Sequence, residues 1–213
     1  MSSRSMNKYL EELNNKNELN HEFFEELRSY ADANNVPIIE RSSLMTIKSI
    51  IMLTHPKRIL EIGTAIAYSS LSFASCYNDI IVDTIERNPE MIEQAKANIK
   101  KAGMEDRVIL HEGDALLIDN DTLSKYDLIF IDAAKAQYQK FFDKYSPLLN
   151  DNGYIITDNI LFHGCVENQN DLSKNVLGMA KKLDSYNHTL TRSDSFETIY
   201  LDCGDGLAIT KRK

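Results

Sequence analysis

Two carboxylates, one carboxamide and one amine are the groups here whose types and spacing point to chemistry. Asp132 closes the apolar run Leu128-Ile129-Phe130-Ile131, and Lys135 follows three residues later. Asp158-Asn159 closes another apolar run, Tyr154 to Thr157. Asp132, Asp158 and Asn159 offer oxygen alone, which favours Mg²⁺, Mn²⁺ or Ca²⁺ over zinc and leaves positions open for water and a substrate. Three more acids follow apolar runs: Glu61 beside Gly63, Glu86, and Asp114 in Gly113-Asp114-Ala115. Helix capping and loop polarity explain one or two such acids. Five successive run ends with an acid describe a rim.

An acidic rim repels phosphate. The turn Gly63-Thr64-Ala65-Ile66-Ala67-Tyr68 also has one glycine where a dinucleotide fingerprint has three. A cationic, phosphate-free cofactor carrying a ribose suits the rim better. S-adenosylmethionine, with a sulfonium and an amino-acid end, has that chemistry. Glu86, at the end of the second run, would accept both ribose hydroxyls.

The elements that must position these groups follow from periodicity. Residues 5–35 read as helix, with Leu10, Leu13, Phe23, Phe24, Leu27 and Tyr30 near helical spacing. Ser42 or Ser43 would cap a helix running to Leu53, ended by His55-Pro56. Alternation of strand and helix then begins. Strands are expected at 59–62, 80–85, 108–110, 126–131 and 154–157, the apolar run Leu128 to Ile131 reading as one buried on both faces. Helices are expected at 67–76 and from Pro89, capped by Asn88, to Lys101. A further helix runs from the Asp132 segment through Leu149, and another spans 169–186. Strands near 188–193, 196–201 and 207–210 leave too little helix for another parallel crossover, so the sheet should end antiparallel. The fold class is a Rossmann-like α/β fold: a mostly parallel seven-stranded sheet with an antiparallel C-terminal strand, helices on both faces and extra N-terminal helices. One domain, 1–213, is expected, with 1–54 as a helical cap and 58–213 as the core.

The 213 residues are 43% hydrophobic and 26% charged, ordinary for a soluble domain with a real core. No apolar run approaches a membrane span, and Met1 to Asn20 is polar without a signal-type segment, so a cytoplasmic protein off the membrane is expected. Cys76, Cys165 and Cys203 have neither metal-type nor disulfide-framework spacing. A net charge of −8 argues against nucleic-acid binding by bulk attraction, without excluding a local basic patch. Lys211-Arg212-Lys213 reads as a solvated tail.

Taken together, Ile59-Leu60-Glu61-Ile62-Gly63-Thr64-Ala65, Tyr68-Ser69, Thr84-Ile85-Glu86, Gly113-Asp114-Ala115, Phe130-Ile131-Asp132-Ala133-Ala134-Lys135, Thr157-Asp158-Asn159-Ile160-Leu161 and Gly204-Asp205-Gly206-Leu207-Ala208 resemble the cation-dependent, catechol-type class I O-methyltransferases. The resemblance runs from about Pro37 to the C-terminus. Ala67 departs from it, standing where the family usually has glycine. Within the family the chain is most similar to the bacterial tRNA 5-hydroxyuridine methyltransferases. Val36-Pro37-Ile38, Ile85-Glu86-Arg87-Asn88, Gln137-Tyr138 and Ile156-Thr157-Asp158-Asn159 carry that likeness.

The resemblance implies roles. Asp132, Asp158 and Asn159 would hold Mg²⁺, with Asp132 also beside the cofactor. Glu86 would bind the ribose, and Asp114 and Ala115 would lie along the adenine. Glu61, Gly63 and Ser69 would hold the methionine part, with the Ile39 backbone closing over it. Lys135 matches the family's proposed base, a purely electrostatic role being the alternative. Independently of the resemblance, Arg41, Leu161, Phe162 and His163 follow or precede site motifs and would line the substrate entrance. The acceptor would be the wobble 5-hydroxyuridine in a tRNA anticodon loop. A small catechol-like molecule is the alternative, because both present two vicinal oxygens to one cation. A non-catalytic cofactor- or RNA-binding module is the third reading, disfavoured by the intact Asp132, Lys135, Asp158 and Asn159 set. A homodimer is expected from the family.

Overall fold

A computed structural model describes residues 8–17 and 20–213. Its centre is one seven-stranded sheet: β1 (Arg58–Ile62), β2 (Ile81–Glu86), β3 (Val108–Glu112), β4 (Tyr126–Ile131), β5 (Leu149–Thr157), β6 (Phe196–Leu201) and β7 (Leu207–Arg212), in the order β3-β2-β1-β4-β5-β7-β6. β1 to β5 pair in parallel, and β7 runs antiparallel to both β5 and β6. The expected mostly parallel sheet with an antiparallel C-terminal strand is what forms.

Strand alternation divides the core in two. Ile59, Val82, Val108, Leu128, Phe130 and Ile156 face α2 (His21–Asn34), α3 (Arg41–Thr54), α4 (Tyr68–Ala74) and α5 (Pro89–Lys101). Leu60, Ile62, Ile85, Ile129, Ile131 and Ile155 face α6 (Tyr138–Tyr145) and α7 (Lys174–Thr191). Both faces of β1 and β4 are covered, which is why these strands read as continuous apolar runs. β1 and β4 are neighbours although β2 and β3 lie between them in sequence. That reversal of strand order opens a crevice at the strands' carboxyl ends.

Several boundaries differ from the sequence reading. The 5–35 helix is two helices, α1 (Lys8–Asn17) and α2, with Asn20 left-handed at φ 61° before α2; residues 5–7 and 18–19 lie outside the described residues. Leu10, Leu13 and Tyr30 are exposed, while Phe24, Leu27 and Ala31 carry α2's contact with the core. Glu40, rather than a serine, precedes the first residue of α3, and Ser43 is fully buried within that helix. The helix after Asp132 stops at Tyr145 because Pro147 cannot continue it; Ser146–Leu148 forms one 3₁₀ turn, and Leu149 already begins β5.

No strand forms at 188–193. α7 starts at Lys174 and runs on to Thr191, because Leu190 continues the buried stripe of Ala180, Leu183 and Tyr186. The basic C-terminus is no loose tail: Lys211 and Arg212 pair within β7, and Arg212 Nη2 donates to the Ser146 carbonyl at 2.7 Å. As expected, the Asn88 side chain caps α5 by accepting from the Glu90 N–H at 3.0 Å. No helix among the described residues is long and apolar enough to cross a membrane.

Candidate active site

Backbone bonds beyond the regular strands hold the acids in register along the crevice. Gly63 N–H donates to the Ile85 carbonyl at 3.1 Å, Asp132 N–H to Ile62 at 3.0 Å, Asp158 N–H to Ile131 at 3.1 Å and Gly113 N–H to Glu86 at 2.7 Å. The first turn comes close to its neighbour strand. Gly63 has φ 106°, and a Cβ on it would lie 2.0 Å from the Asp132 carbonyl oxygen, so only glycine fits there.

Above these strand ends is a cavity of about 540 Å³, within the range of small-ligand sites. One end is lined by Glu86, Arg87, Asp114 and Ala115, the middle by Gly63, Ser69 and Ile39, and the other end by Asp132, Lys135 and Asn159. The connector from α2 to α3, Asn34 to Ile39, forms a wall. The family resemblance pointed to Val36-Pro37-Ile38 and Ile39; no local signal marked Asn34 and Asn35 as lining residues.

At the first end, Glu86 is fixed by three backbone donors. Oε2 accepts from Ala65 N–H, and Oε1 accepts from Arg87 and Asn88 N–H, all at 2.9 Å. A carboxylate offers about four acceptor positions, so room remains for about one ligand hydroxyl rather than two. Asp114 accepts from Leu116 N–H at 2.9 Å and pairs with Arg87 at 3.1 Å. Those two partners, the N–H first, hold its carboxyl below the usual range.

Glu61 lies beneath the middle of the cavity rather than on its wall, and is wholly buried on the α4 side of β1. Its Oε2 accepts from Ser70 Oγ and, at 2.6 Å, from Thr84 Oγ1, which Thr64 Oγ1 supports in turn at 2.6 Å. Its Oε1 is buried without a hydrogen-bond partner. Burial pushes this carboxyl up to about 7 against the pull of the hydroxyl donors. An orphaned buried oxygen under an acid-lined cavity is a fitting partner for an ammonium group.

At the other end, Asp158 is buried; its Oδ1 accepts from Asn159 N–H at 2.7 Å and more weakly from Ser43 Oγ at 3.4 Å. Its Oδ2 is buried with no partner. Burial raises the Asp158 carboxyl to about 8, and the neighbouring Asp132 adds to the rise. Asp132 is itself raised by burial, with the Lys135 charge opposing. Lys135 Nζ donates to Asn159 Oδ1 at 2.9 Å. Asn159 is left-handed at φ 54°, a conformation asparagine tolerates.

Two carboxylates that burden each other, a carboxamide oxygen and an orphaned Oδ2 fit a hard divalent cation, which would relieve both acids. Among the described residues no group of three or more His, Cys, Asp or Glu is placed to hold a metal, so a cation here would need the carboxamide as its third protein donor.

Three neighbours of this end were not legible as site residues. Ser43 approaches Asp158 from α3, and Tyr138 OH donates to the Asp158 carbonyl at 3.0 Å. The third is Asp205, which is buried; its Oδ1 takes the His163 N–H at 2.6 Å, and its Oδ2 lies 3.5 Å from His163 Nδ1. Its Gly204-Asp205-Gly206 setting was the only hint of a role. Arg41, Leu161 and His163 are not among the cavity's lining residues: Arg41 pairs with Glu25, Leu161 packs on the α6–α7 side of the core, and the His163 side chain is exposed.

The family model for O-methyltransferases matches residues 13–213. In structure the chain is similar to a Staphylococcus aureus protein provisionally named a caffeoyl-CoA O-methyltransferase, 45% identical with a TM-score of 0.90, covering 97% of this chain and 98% of that one. It is also similar to a Podospora anserina methyltransferase solved with SAH bound, 27% identical with a TM-score of 0.83, over 100% and 99% of the two chains. In sequence it is 30% identical to caffeoyl-CoA O-methyltransferase 1 of Eucalyptus globulus, over 76% of this chain and 70% of that protein. The strand-end acids, the one-glycine turn and a match spanning nearly the whole chain have one meaning: this chain belongs to the O-methyltransferase family.

Proposed function

We propose that this protein transfers the methyl group of S-adenosylmethionine to the 5-hydroxyl of 5-hydroxyuridine at the tRNA wobble position, giving 5-methoxyuridine, with a divalent cation, Mg²⁺ by preference, held by Asp132, Asp158 and Asn159. The observation that carries the reaction class is the pairing, in one cavity, of an acid-lined cofactor end with an oxygen-donor end beside Lys135. The SAH in the Podospora relative supports the cofactor. The motif-level likeness to tRNA 5-hydroxyuridine methyltransferases supports the acceptor.

Each residue has a definite task. Glu61 and Ser69 set the amino-acid end of the donor, Glu86 takes a ribose hydroxyl, and Asp114 with the Ala115 backbone flanks the adenine. Together they hold the donor so that its methyl faces the oxygen-donor end, which turns a bimolecular encounter into an oriented one. Lys135 Nζ, after its ammonium has released a proton to solvent, would receive the acceptor's hydroxyl proton; as the ammonium it would instead balance the charge that the proton's loss leaves. The cation, when bound, supplies a hard Lewis acid for the acceptor's two adjacent oxygens.

The same chemistry fits a small catechol-like acceptor, and the caffeoyl-CoA O-methyltransferase names of the sequence relatives favour that second reading. Nucleoside mass spectrometry of tRNA from cells with and without the gene separates the two. Loss of 5-methoxyuridine with accumulation of 5-hydroxyuridine supports the tRNA reading. An unchanged nucleoside profile removes it and leaves the small acceptor.

A further inference from the structure

We propose that Lys135 is the internal counter-ion of the oxygen-donor end, competes with a divalent cation for Asn159 Oδ1, and becomes available to the acceptor only once that oxygen has been taken. The inference rests on the metal reading above and extends it to the order of events at the site.

The geometry is direct. Lys135 Nζ lies 2.9 Å from the one Asn159 side-chain atom able to ligate a hard cation; the amide nitrogen cannot. The Asn159 backbone N–H is committed to Asp158 Oδ1 at 2.7 Å, which holds the residue's main chain beside that carboxylate. The Lys135 charge also acts on both neighbouring carboxylates, opposing the rise that burial imposes on each. One ammonium thus compensates all three groups that a cation would occupy. An ammonium and a divalent ion sharing a single oxygen would repel strongly in a half-buried setting. Lys135 must therefore leave when a divalent ion is bound.

The choice of asparagine fits the same logic. A neutral carboxamide releases an ammonium far more readily than a third carboxylate would, because it offers a hydrogen bond without an ion pair. Lys135 stands one 3₁₀ turn ahead of α6, at the cavity wall, so its long side chain can swing off Asn159 while its backbone stays in place. The amine is sequestered in the metal-free protein and delivered to the cavity in the loaded one.

The test is Mn²⁺ binding to the full chain, followed by electron paramagnetic resonance of the free ion, for wild type, Lys135→Met and Lys135→Arg. Asp132→Asn serves as the control for site identity. Removing a competing charge should tighten Mn²⁺ binding in Lys135→Met by about tenfold, the effect of one partly buried charge. Lys135→Arg should show no such gain, and SAH affinity should be the same in all three. A role confined to proton transfer or to local structure predicts no gain in metal affinity. Wild-type binding that is equal to or tighter than that of Lys135→Met overturns the inference and leaves the metal site standing. Absence of binding in both overturns the metal reading itself. Binding by Lys135→Met alone is the competition in its strongest form. Thermal unfolding of each variant in chelator confirms that the comparison is between folded proteins.

Discussion

Glu61 is wholly buried and has one oxygen without a hydrogen-bond donor. In the unfolded chain its carboxyl titrates near 4.5, and in the folded protein near 7. Folding therefore takes up a proton between those values. The ligand-free protein is relieved of this penalty below pH 4.5, acquires it as pH rises, and carries all of it above 7. The shift corresponds to about 3 kcal/mol. Glu61→Gln keeps an oxygen for Ser70 and Thr84 and removes the charge. In urea unfolding at pH 8 the variant should be more stable than wild type by about 2 kcal/mol, with the gap closing towards pH 4.5. A gap that does not depend on pH would contradict this account of Glu61. Under the proposed function the same substitution weakens SAH binding at least tenfold, since the ammonium loses its partner. Wild-type binding should release a proton near pH 7, visible as buffer-dependent heats in isothermal titration. Stability given up at a ligand-free site and regained on binding is expected of functional carboxylates.

At the scale of elements, the oxygen-donor end is held by a suture between two loops. Ile160 N–H donates to the Gly206 carbonyl at 3.2 Å, Leu161 N–H to the Asp205 carbonyl at 3.0 Å, and His163 N–H to the Asp205 carboxylate. Gly206 has φ 84°, and a Cβ there would meet Leu161 Cγ at 2.7 Å and Ile160 Cγ1 at 2.8 Å. Gly206→Ala combines backbone strain with a side-chain clash and should cost about 2–4 kcal/mol. That lowers the midpoint of thermal unfolding by roughly 5–10 °C for a chain of this size. Because Ile160 follows Asn159 directly, Mn²⁺ binding should weaken more than SAH binding. A loss below about 1 kcal/mol would mean the suture contributes little to the fold. The suture also shows why parts of the protein were legible and others not. β4 announces itself because Leu128 to Ile131 is a short apolar run sealed on both faces, and β1 because Ile59, Leu60 and Ile62 flank a single acid. The acids that follow them are next in sequence, so the rim could be read from local order. His188-Thr189-Leu190-Thr191 alternates like a strand, and only its packing beside Leu183 and Tyr186 makes it helix. Ser43 reaches Asp158 across 115 positions and Tyr138 across 20, and no local pattern encodes either contact.

Across the whole molecule, a net charge of −8 and an acid-lined crevice set how a polyanionic acceptor can be held. The cations on the cavity wall are Arg87 and Lys135, and both are engaged, Arg87 with Asp114 and Lys135 with Asn159. An anticodon loop that puts one nucleotide into this cavity would therefore neutralise about two or three phosphates at its mouth, not a long track of them. Counterion release then gives a slope of log affinity against log salt of roughly −1.5 to −2 for a single-stranded loop. Between 50 and 200 mM KCl the affinity should fall about tenfold, against the thousandfold or more of proteins that grip six to ten phosphates. Filter binding of an anticodon stem-loop over that range measures the slope directly. A shallow slope means that recognition is concentrated in the base and its two adjacent oxygens, the part of the acceptor a catechol also presents. Under the proposed function, that result would let the same cavity chemistry take either a phenol or a tRNA base. A slope steeper than about −4 would place the dominant contacts on a basic surface away from the cavity, and the acceptor would then be selected by its backbone before its base.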